Sequence, residues 1–413
     1  MKRRLLVTAT CMIIFFVLNA CVAKAEEIQT LPTATVQVVL PATPTSIITC
    51  SILSTEPTLV PDINSYFPPA SEADFSFGPA DAPVTLIEYC DFQSSGCRNL
   101  SITIATLMKN RDDVRFVFRP FPLIGVMDKS DKAVLAAFAA DKQGQFWAMY
   151  DLLFVKYDEW ANLQPAQFDT WVIEEAVKIG IDGDQLKAAI NAPETTTKMM
   201  SAYDAAKQIG IPAVPLILIN GALQPSYLLD YQNISNAAGL IALGKKQFAE
   251  CPPFGIDPAK EYIATIRTER GDIIVELFAN KSPLAVNSFV FLARQGWFDG
   301  VTFHRVLPGF AAQAGDPSGT GLGNPGYFFK NEVSDLKFDK PGLVGMANSG
   351  PDTNGSQFFI TFAPAEHLNG GYTIFGQVIN GMEIAEQLTP RNPDQGDILP
   401  AGDKIITVEI EEK

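Results

Sequence analysis

The secondary-structure pattern changes abruptly at Cys251-Pro252-Pro253, and this change limits what the chain can fold into. Before this point, apolar runs typical of buried strands alternate with stretches of helical period. After it, short strands with glycine-rich connections predominate, and adjacent prolines are typical of a linker. Because 413 residues exceed what a single core usually holds, the sequence predicts two domains, joined by a linker at residues 249–260.

The segment before this break has the pattern of an α/β domain. Strands alternate with helices, and a long helical stretch separates the last strand from the others. The predicted elements are a strand at 84–89, a helix at 99–110, a strand at 114–118, helices from 131 to about 208 and a strand at 216–221. We therefore expect an α/β domain at residues 75–248 with a helical insertion.

The segment after the break predicts a β-rich domain at residues 261–413. Two strands, 262–268 and 272–278, flank a short turn and predict a hairpin. Ser282 is a typical N-cap residue, and Pro283 suits the first position of a helix. Because short strands follow to the end of the chain, we expect an antiparallel β-barrel with capping helices.

The N-terminus has the pattern of a secretory signal, since Lys2-Arg3-Arg4 precedes an apolar run from Leu5 to Leu18. This run is too short to span a membrane, which takes about 20 apolar residues. Leu18-Asn19-Ala20-Cys21 resembles the lipobox of bacterial lipoproteins. The resemblance implies a signal peptide at 1–20, a lipid on Cys21, and an exported protein anchored to the outer face of the bacterial cell membrane. Cleavage near Ala23-Lys24-Ala25 is the alternative.

Composition limits the partners of the chain. Residues 21–74 are rich in threonine and proline and have no helical period, which predicts an extended tether. The net charge of −15 disfavours nucleic acid as a partner, because phosphates would be repelled. The only histidines are His304 and His367, and the cysteines are scattered, so we expect no metal site.

Five sequence blocks follow one another in the second domain. They are FHRVLPGF at 303–310, QAGD at 313–316, GMANSGP at 345–351, NGSQFFI at 354–360 and LNGGYTIFG at 368–376. In this order and at these separations, they resemble the cyclophilin family of peptidyl-prolyl cis-trans isomerases. The resemblance implies an enzyme without a cofactor that acts on proline-containing segments of unfolded or exported proteins.

The chemistry of such an enzyme needs few residues. Rotation about an Xaa–Pro bond is slow because amide resonance gives the C–N bond double-bond character, with a barrier of about 20 kcal/mol. A hydrogen-bond donor to the prolyl nitrogen weakens this resonance, and a guanidinium is a permanently charged donor. By resemblance, Arg305 is the catalytic residue, and Gln313 steadies it and meets the substrate carbonyl. The resemblance also implies substrate-binding roles for Phe310, Gln313, Ala347, Asn348, Gln357, Phe359, His367, Leu368 and Tyr372.

The second domain departs from the family pattern at three positions. Ala311 stands where a methionine is common, which widens the expected proline pocket. His367 occupies the position of a tryptophan in cyclosporin-sensitive members, and Tyr372 replaces a frequent histidine. These departures affect the expected drug binding more than the expected isomerisation.

The stretch LIEYCDFQSSGC at 86–97, with FRPFP at 118–122 and GIPAVP at 210–215, resembles DsbA-like oxidoreductases of the thioredoxin fold. In that family a Cys-x-x-Cys pair opens the helix, whereas this chain has Ser94-Ser95-Gly96-Cys97. A serine hydroxyl can form neither a thiolate nor a disulfide. The resemblance therefore implies a redox-inactive thioredoxin-like domain. It also assigns Glu88 to a buried carboxylate under the helix and Pro215 to a cis-proline.

Two cysteine pairs are open to disulfide formation. Cys90 lies on the same strand face as Glu88 and points toward Cys97. Because the direction of a side chain does not fix the distance that a disulfide needs, we favour two free thiols there. Cys50 and Cys251 lie outside the predicted elements, and exposed thiols outside the cell oxidise. We therefore expect a disulfide between Cys50 and Cys251.

Three functions are compatible with these features. The first is an extracytoplasmic isomerase whose redox-inactive thioredoxin-like domain binds or docks clients. The second is a peptide-binding chaperone without catalysis, and the third is a thiol oxidoreductase that uses Cys90 and Cys97 in an unusual way. We rank them in this order.

Overall fold

The computed structural model of the chain describes residues 50–53, 67–395 and 399–413. The predicted signal peptide at 1–20, the lipidation site Cys21 and most of the predicted tether lie outside the described residues. Within the described ranges, no helix has both the length and the apolar character needed to cross a membrane.

Two parts of the predicted tether belong to folded structure. Strand β1 (Cys50–Ile52) pairs antiparallel with residues 327–329 of the second domain. Residues 67–74 lie on the first domain, where Arg119 donates hydrogen bonds to the carbonyl oxygens of Pro68 and Pro69 and pairs with Asp74 at 2.7 Å. The tether was therefore predicted to extend too far when it was drawn up to residue 74. Amino-acid composition does not reveal which segments pair with distant residues.

The first domain is an α/β domain around a mixed five-stranded sheet. Its strands are β2 (Phe75–Phe77), β3 (Val84–Cys90), β4 (Val114–Pro120), β5 (Leu216–Ile219) and β6 (Ala222–Leu223). They lie in the order β2-β4-β3-β5-β6, and only β3 and β4 are parallel. A parallel pair needs a crossover, which the first helix provides.

Helices cover this sheet, and most of them form the insertion between β4 and β5. They are α1 (Ser95–Asn110), α2 (Ser130–Asp141), α3 (Phe146–Val155), α4 (Tyr157–Trp160), α5 (Pro165–Lys178), α6 (Gly183–Ile190), α7 (Pro193–Ile209) and α8 (Tyr231–Gly244). Helices were predicted from residue 131 to about 208, and the first two, α2 and α3, are separated at Gly144, which adopts a left-handed φ of 68°. Helix α1 begins earlier than expected, since Ser94 caps it.

The second domain is an antiparallel half-barrel, which agrees with the antiparallel β-barrel predicted from the sequence. Its elements are β7 (Tyr262–Thr268), β8 (Gly271–Leu277), α9 (Pro283–Arg294), β9 (Arg305–Leu307), β10 (Ala311–Ala314), β11 (Tyr327–Phe329), β12 (Leu343–Met346), β13 (Phe358–Thr361), β14 (Ile374–Asn380), α10 (Met382–Glu386) and β15 (Ile405–Glu412). Eight strands lie in the order β15-β7-β8-β14-β12-β13-β10-β9, and β11 pairs with β1 instead.

Helix α9 is capped by a residue distant in sequence. The hydroxyl of Ser282, expected as the cap, donates to the carbonyl oxygen of Ile374 at 2.6 Å. The carboxylate of Glu332 accepts from the amides of Leu284 and Ala285 at 2.9 Å each. The helix dipole also stabilises an anion at the N-terminus of a helix. Glu332 therefore caps α9 in place of Ser282.

Two disulfides occur in the described residues. Cys50 and Cys251 are bonded, with Cα atoms 6.0 Å apart, which is the pairing that the sequence predicted. Cys90 and Cys97 are also bonded, with Cα atoms 5.8 Å apart, so the expectation of two free thiols was wrong. The tight turn from β3 into α1 brings both Cα atoms within the range of about 4.4–6.8 Å that a disulfide needs.

Candidate active site

Three neighbouring strands align three of the predicted site residues. Across the pairs β9–β10 and β10–β13, Arg305 lies opposite Gln313, and Gln313 lies opposite Phe359. Residues directly opposite in an antiparallel pair project from the same face of the sheet. Arg305, Gln313 and Phe359 therefore form a row on one face.

The next residue in this row is a glycine, and its small size matters. Gly345 on β12 pairs with Phe359 on β13. A Cβ at this position would lie 2.6 Å from Phe359 Cζ and 2.9 Å from Phe338 Cζ. Because no rotation of a packed ring removes two such clashes, a residue without a side chain is required here.

An apolar cluster adjoins this row and includes most of the predicted proline-binding residues. Phe359 is buried in it, 5.8 Å from the ring of Tyr372 in an edge-to-face arrangement. Phe310 stacks on His367 with ring centroids 5.7 Å apart. The other members of the cluster are Phe278, Ala311, Leu336, Phe338, Leu343, Ala347, Ala365, Leu368 and Ile374. The structure thus offers an apolar surface beside a charged group.

That charged group is Arg305, whose guanidinium carbon lies 5.9 Å from the ring centroid of Phe310. In the part of the chain that the structure describes, its side chain makes neither a hydrogen bond nor an ion pair. A half-buried guanidinium retains five N–H donors for an incoming group. An amide nitrogen next to the apolar cluster would lie within reach of these donors.

The remaining predicted residues surround the row. Gln313 donates from Nε2 to Oε1 of Gln357 at 2.9 Å, so its amide holds Gln357 rather than Arg305. The amide N–H of Ala347 donates to the carbonyl oxygen of Gln357 at 2.9 Å. Asn348 donates from Nδ2 to the carbonyl oxygen of Gly371 at 3.0 Å. These bonds hold together the strand ends and loops around the row.

Comparisons with known proteins bear on this geometry. Residues 263–410 match the family described as cyclophilin type peptidyl-prolyl cis-trans isomerase/CLD. Peptidyl-prolyl cis-trans isomerase A of Mycobacterium tuberculosis is 44% identical over 168 residues, which are 36% of this chain and 92% of that protein. The chain belongs to the cyclophilin-type peptidyl-prolyl cis-trans isomerases.

Two further isomerases agree with this assignment. A peptidyl-prolyl cis-trans isomerase of Helicobacter pylori is 44% identical over 144 residues, 34% of this chain and 85% of that protein. One from Arabidopsis thaliana is 47% identical over 137 residues, 32% of this chain and 86% of that protein. The second domain is thus a peptidyl-prolyl isomerase, and the first domain matches a thioredoxin family over residues 70–230.

The cyclophilin domain contains two buried polar residues whose surroundings the sequence did not reveal. Asp316 is fully buried and accepts hydrogen bonds from the turn that follows it. The run Asp-Pro-Ser-Gly at 316–319 is a typical turn sequence and could have indicated this role. His304 is also buried, and burial lowers its pKa to about 4, so this isomerase keeps it neutral near pH 7.

The thioredoxin-like domain holds its four predicted residues at the start of α1. Ser94 accepts a hydrogen bond from the amide of Cys97, and Gly96 lies against Pro215, whose peptide bond with Val214 is cis. Cys97 is fully buried and bonded to Cys90. No free thiol therefore lies at this helix start.

Glu88 lies beneath the same helix and is isolated from polar partners. Neither of its carboxylate oxygens has a hydrogen-bond partner among the described residues, and burial raises its pKa to about 8. One of its oxygens and the sulfurs of Cys90 and Cys97 lie within 4.8 Å of one another, a spacing that metal ligands also have. A metal prefers thiolates, and the disulfide provides none.

Proposed function

We propose that Arg305 catalyses the isomerisation by donating a hydrogen bond to the prolyl nitrogen of a peptide whose proline ring occupies the apolar cluster. The observation that carries this proposal is the guanidinium beside Phe310, whose N–H groups make no hydrogen bond within the described part of the chain. Withdrawal of the nitrogen lone pair weakens amide resonance, which is the source of the barrier. A donor positioned for the twisted amide favours the transition state over both planar isomers.

The test is an Arg305→Ala variant of the full chain. By analogy with the loss of one transition-state hydrogen-bond donor, we expect kcat/KM for an Xaa–Pro peptide to fall about 100-fold. Arg294→Ala is the matched control, since Arg294 bonds Glu412 on the surface of the same domain. Undiminished activity in Arg305→Ala, with an unchanged circular dichroism spectrum, would remove Arg305 from the mechanism.

We also propose that the enzyme works outside the cytoplasm as a lipoprotein held by Cys21. The signal-like N-terminus supports this location, and the two disulfides suit an oxidising compartment. The measurement is cell fractionation: the native chain should sediment with membranes, whereas Cys21→Ala should appear in the soluble exported fraction. Recovery of both proteins in the cytoplasm would refute the proposal.

For the thioredoxin-like domain, we propose a redox-inactive role in binding or docking unfolded clients. Ser94 replaces the attacking cysteine, and the sulfur of Cys97 is both buried and bonded to Cys90. The scaffold beside Pro215 therefore lacks the free thiol that thiol–disulfide exchange needs. Turnover by the native protein in an insulin-reduction assay would contradict this role and favour a thiol oxidoreductase.

A further inference from the structure

Helix α8, which we call the bridging helix, packs into both domains. It follows the thioredoxin match at 70–230 and precedes the isomerase match at 263–410. Ile234 and Ala238 are buried in the core of the first domain, whereas Leu243 at its end is buried in the core of the isomerase domain. The helix therefore lies outside the residues that match either family.

One part of the isomerase domain that the bridging helix contacts is the loop 317–324. A Cβ at Gly239 would lie 2.9 Å from the carbonyl oxygen of Ser318. Leu243 Cδ2 would lie 2.7 Å from a Cβ at Gly323. Just after the helix, Gln247 Nε2 donates to the backbone and side-chain oxygens of Asn324 at 3.1 and 3.0 Å. The helix and its C-terminal extension therefore hold both ends of the loop.

A buried carboxylate gives this loop its shape. Asp316 accepts hydrogen bonds from five donors in the residues that follow it. They are the amide and hydroxyl of Ser318, the hydroxyl of Thr320, and the amides of Gly321 and Gly323. One carboxylate therefore links Ser318 to Gly321 and Gly323.

The loop is in turn bonded to the active-site row. Gln357 Nε2 donates to the carbonyl oxygens of Gly321 and Gly323 at 3.0 and 2.8 Å. Gln357 accepts from Gln313, the cross-strand neighbour of Arg305. Residues 321–324 also form a wall of a polar pocket of about 90 Å³, which Gln313 and Asn348 line as well. A shift of the loop would reshape this pocket, which Gln313 of the active-site row lines.

We propose that the bridging helix positions the 317–324 loop and so determines which residues beside the proline the isomerase accepts. This inference rests on the proposed assignment of Arg305 and Gln313 to the isomerase site. Gly239 is the positioning residue, because its missing side chain permits the contact with Ser318. The first domain thus takes part in substrate selection through contacts that do not touch the substrate.

The test compares Gly239→Ala with Gly244→Ala in the full chain. Both are Gly→Ala changes in the same helix, but a Cβ at Gly244 would meet no atom within 4 Å. Alanine favours a helix over glycine, so neither change weakens the helix itself. The substrates are peptides that share one Xaa–Pro bond and differ in the flanking residues.

We expect Gly239→Ala to raise KM by about three- to tenfold, unequally across the peptides, with kcat within about twofold of the native value. Gly244→Ala should leave both constants unchanged. In nuclear magnetic resonance spectra, the amide signals of Gly321 and Gly323 should shift in Gly239→Ala alone. Equal KM values and equal amide signals in the two variants would overturn the inference.

A second variant covers the case in which Gly239→Ala does not fold. Gln247→Ala removes only the two hydrogen bonds to Asn324, and it should raise KM in the same peptide-dependent manner. Unchanged KM values in Gln247→Ala would then overturn the inference. If the native chain isomerises none of the peptides, the proposed function fails instead, and the amide shifts of Gly321 and Gly323 still decide whether the helix positions the loop.

Discussion

At the scale of single residues, the protonation of one buried carboxylate, Glu88, influences the stability of the first domain. Glu88 is fully buried without a hydrogen-bond partner among the described residues, and its pKa of about 8 exceeds its ordinary value of 4.5. Between these two pH values the folded state holds a proton that the unfolded chain releases. The free energy of unfolding therefore falls as the pH rises from about 4.5 to 8, and Glu88 destabilises the domain most at alkaline pH.

We predict that Glu88→Gln stabilises the protein at pH 8 and has little effect near pH 4. The gain at pH 8 is at most about 5 kcal/mol, because one pKa unit corresponds to about 1.4 kcal/mol. Urea unfolding at both pH values measures it, with the exposed Glu276→Gln as control. An equal change at both pH values would show that Glu88 is not the titrating group.

At the scale of elements, the start of α1 retains the architecture of a thiol site without the thiol. Ser94 caps a helix whose free N–H groups and dipole favour an anion, and Gly96 contacts Pro215. A cysteine at position 94 would become a thiolate more readily there than in water. The bond between Cys90 and Cys97 is the remaining obstacle, since it occupies the sulfur that a restored pair would need.

We predict that Ser94→Cys combined with Cys90→Ser restores insulin reduction to at least about tenfold above the native protein. Ser94→Cys alone should restore less, because Cys90 still competes for Cys97. Cys90→Ser alone is the control and should stay inactive despite its free thiol. If the double variant folds, forms a disulfide and remains inactive, the scaffold lacks more than a cysteine.

At the scale of the whole molecule, the bridging helix connects the thioredoxin-like domain to the isomerase domain. The bridging helix contributes to both cores, and the disulfide between Cys50 and Cys251 links β1 to the segment that follows this helix. Strand β1 in turn pairs with β11 of the isomerase domain. Under the client role proposed for the first domain, a bound client would lie at a restricted distance from the isomerase site.

We predict that an unfolded protein client remains bound when a short proline peptide saturates the isomerase site. The client's Kd should change by less than about threefold, since binding at a second surface is independent of the first. The same peptide must displace a labelled copy of itself, which is the control. Complete displacement of the client would place all binding at the isomerase site and leave the thioredoxin-like domain without a client role.

Several features of this protein follow from the sequence alone. Apolar periodicity and the change at Cys251-Pro252-Pro253 predicted two domains of different class. Ordered blocks predicted the isomerase, and the structure brings Arg305, Gln313 and Phe359 into one row. These features can be predicted because they depend on residues close together in the chain, or on the alternation of side chains within one strand.

Other features depended on the tertiary structure, because they join residues whose separation in space no local pattern specifies. Side-chain direction placed Cys90 toward Cys97, but only the turn into α1 brought their Cα atoms to 5.8 Å. Glu332 caps α9 from 48 residues away. The contact of Gly239 with Ser318 requires two domains to pack against each other. Local sequence determines which elements form, whereas non-local packing determines which of their ends meet.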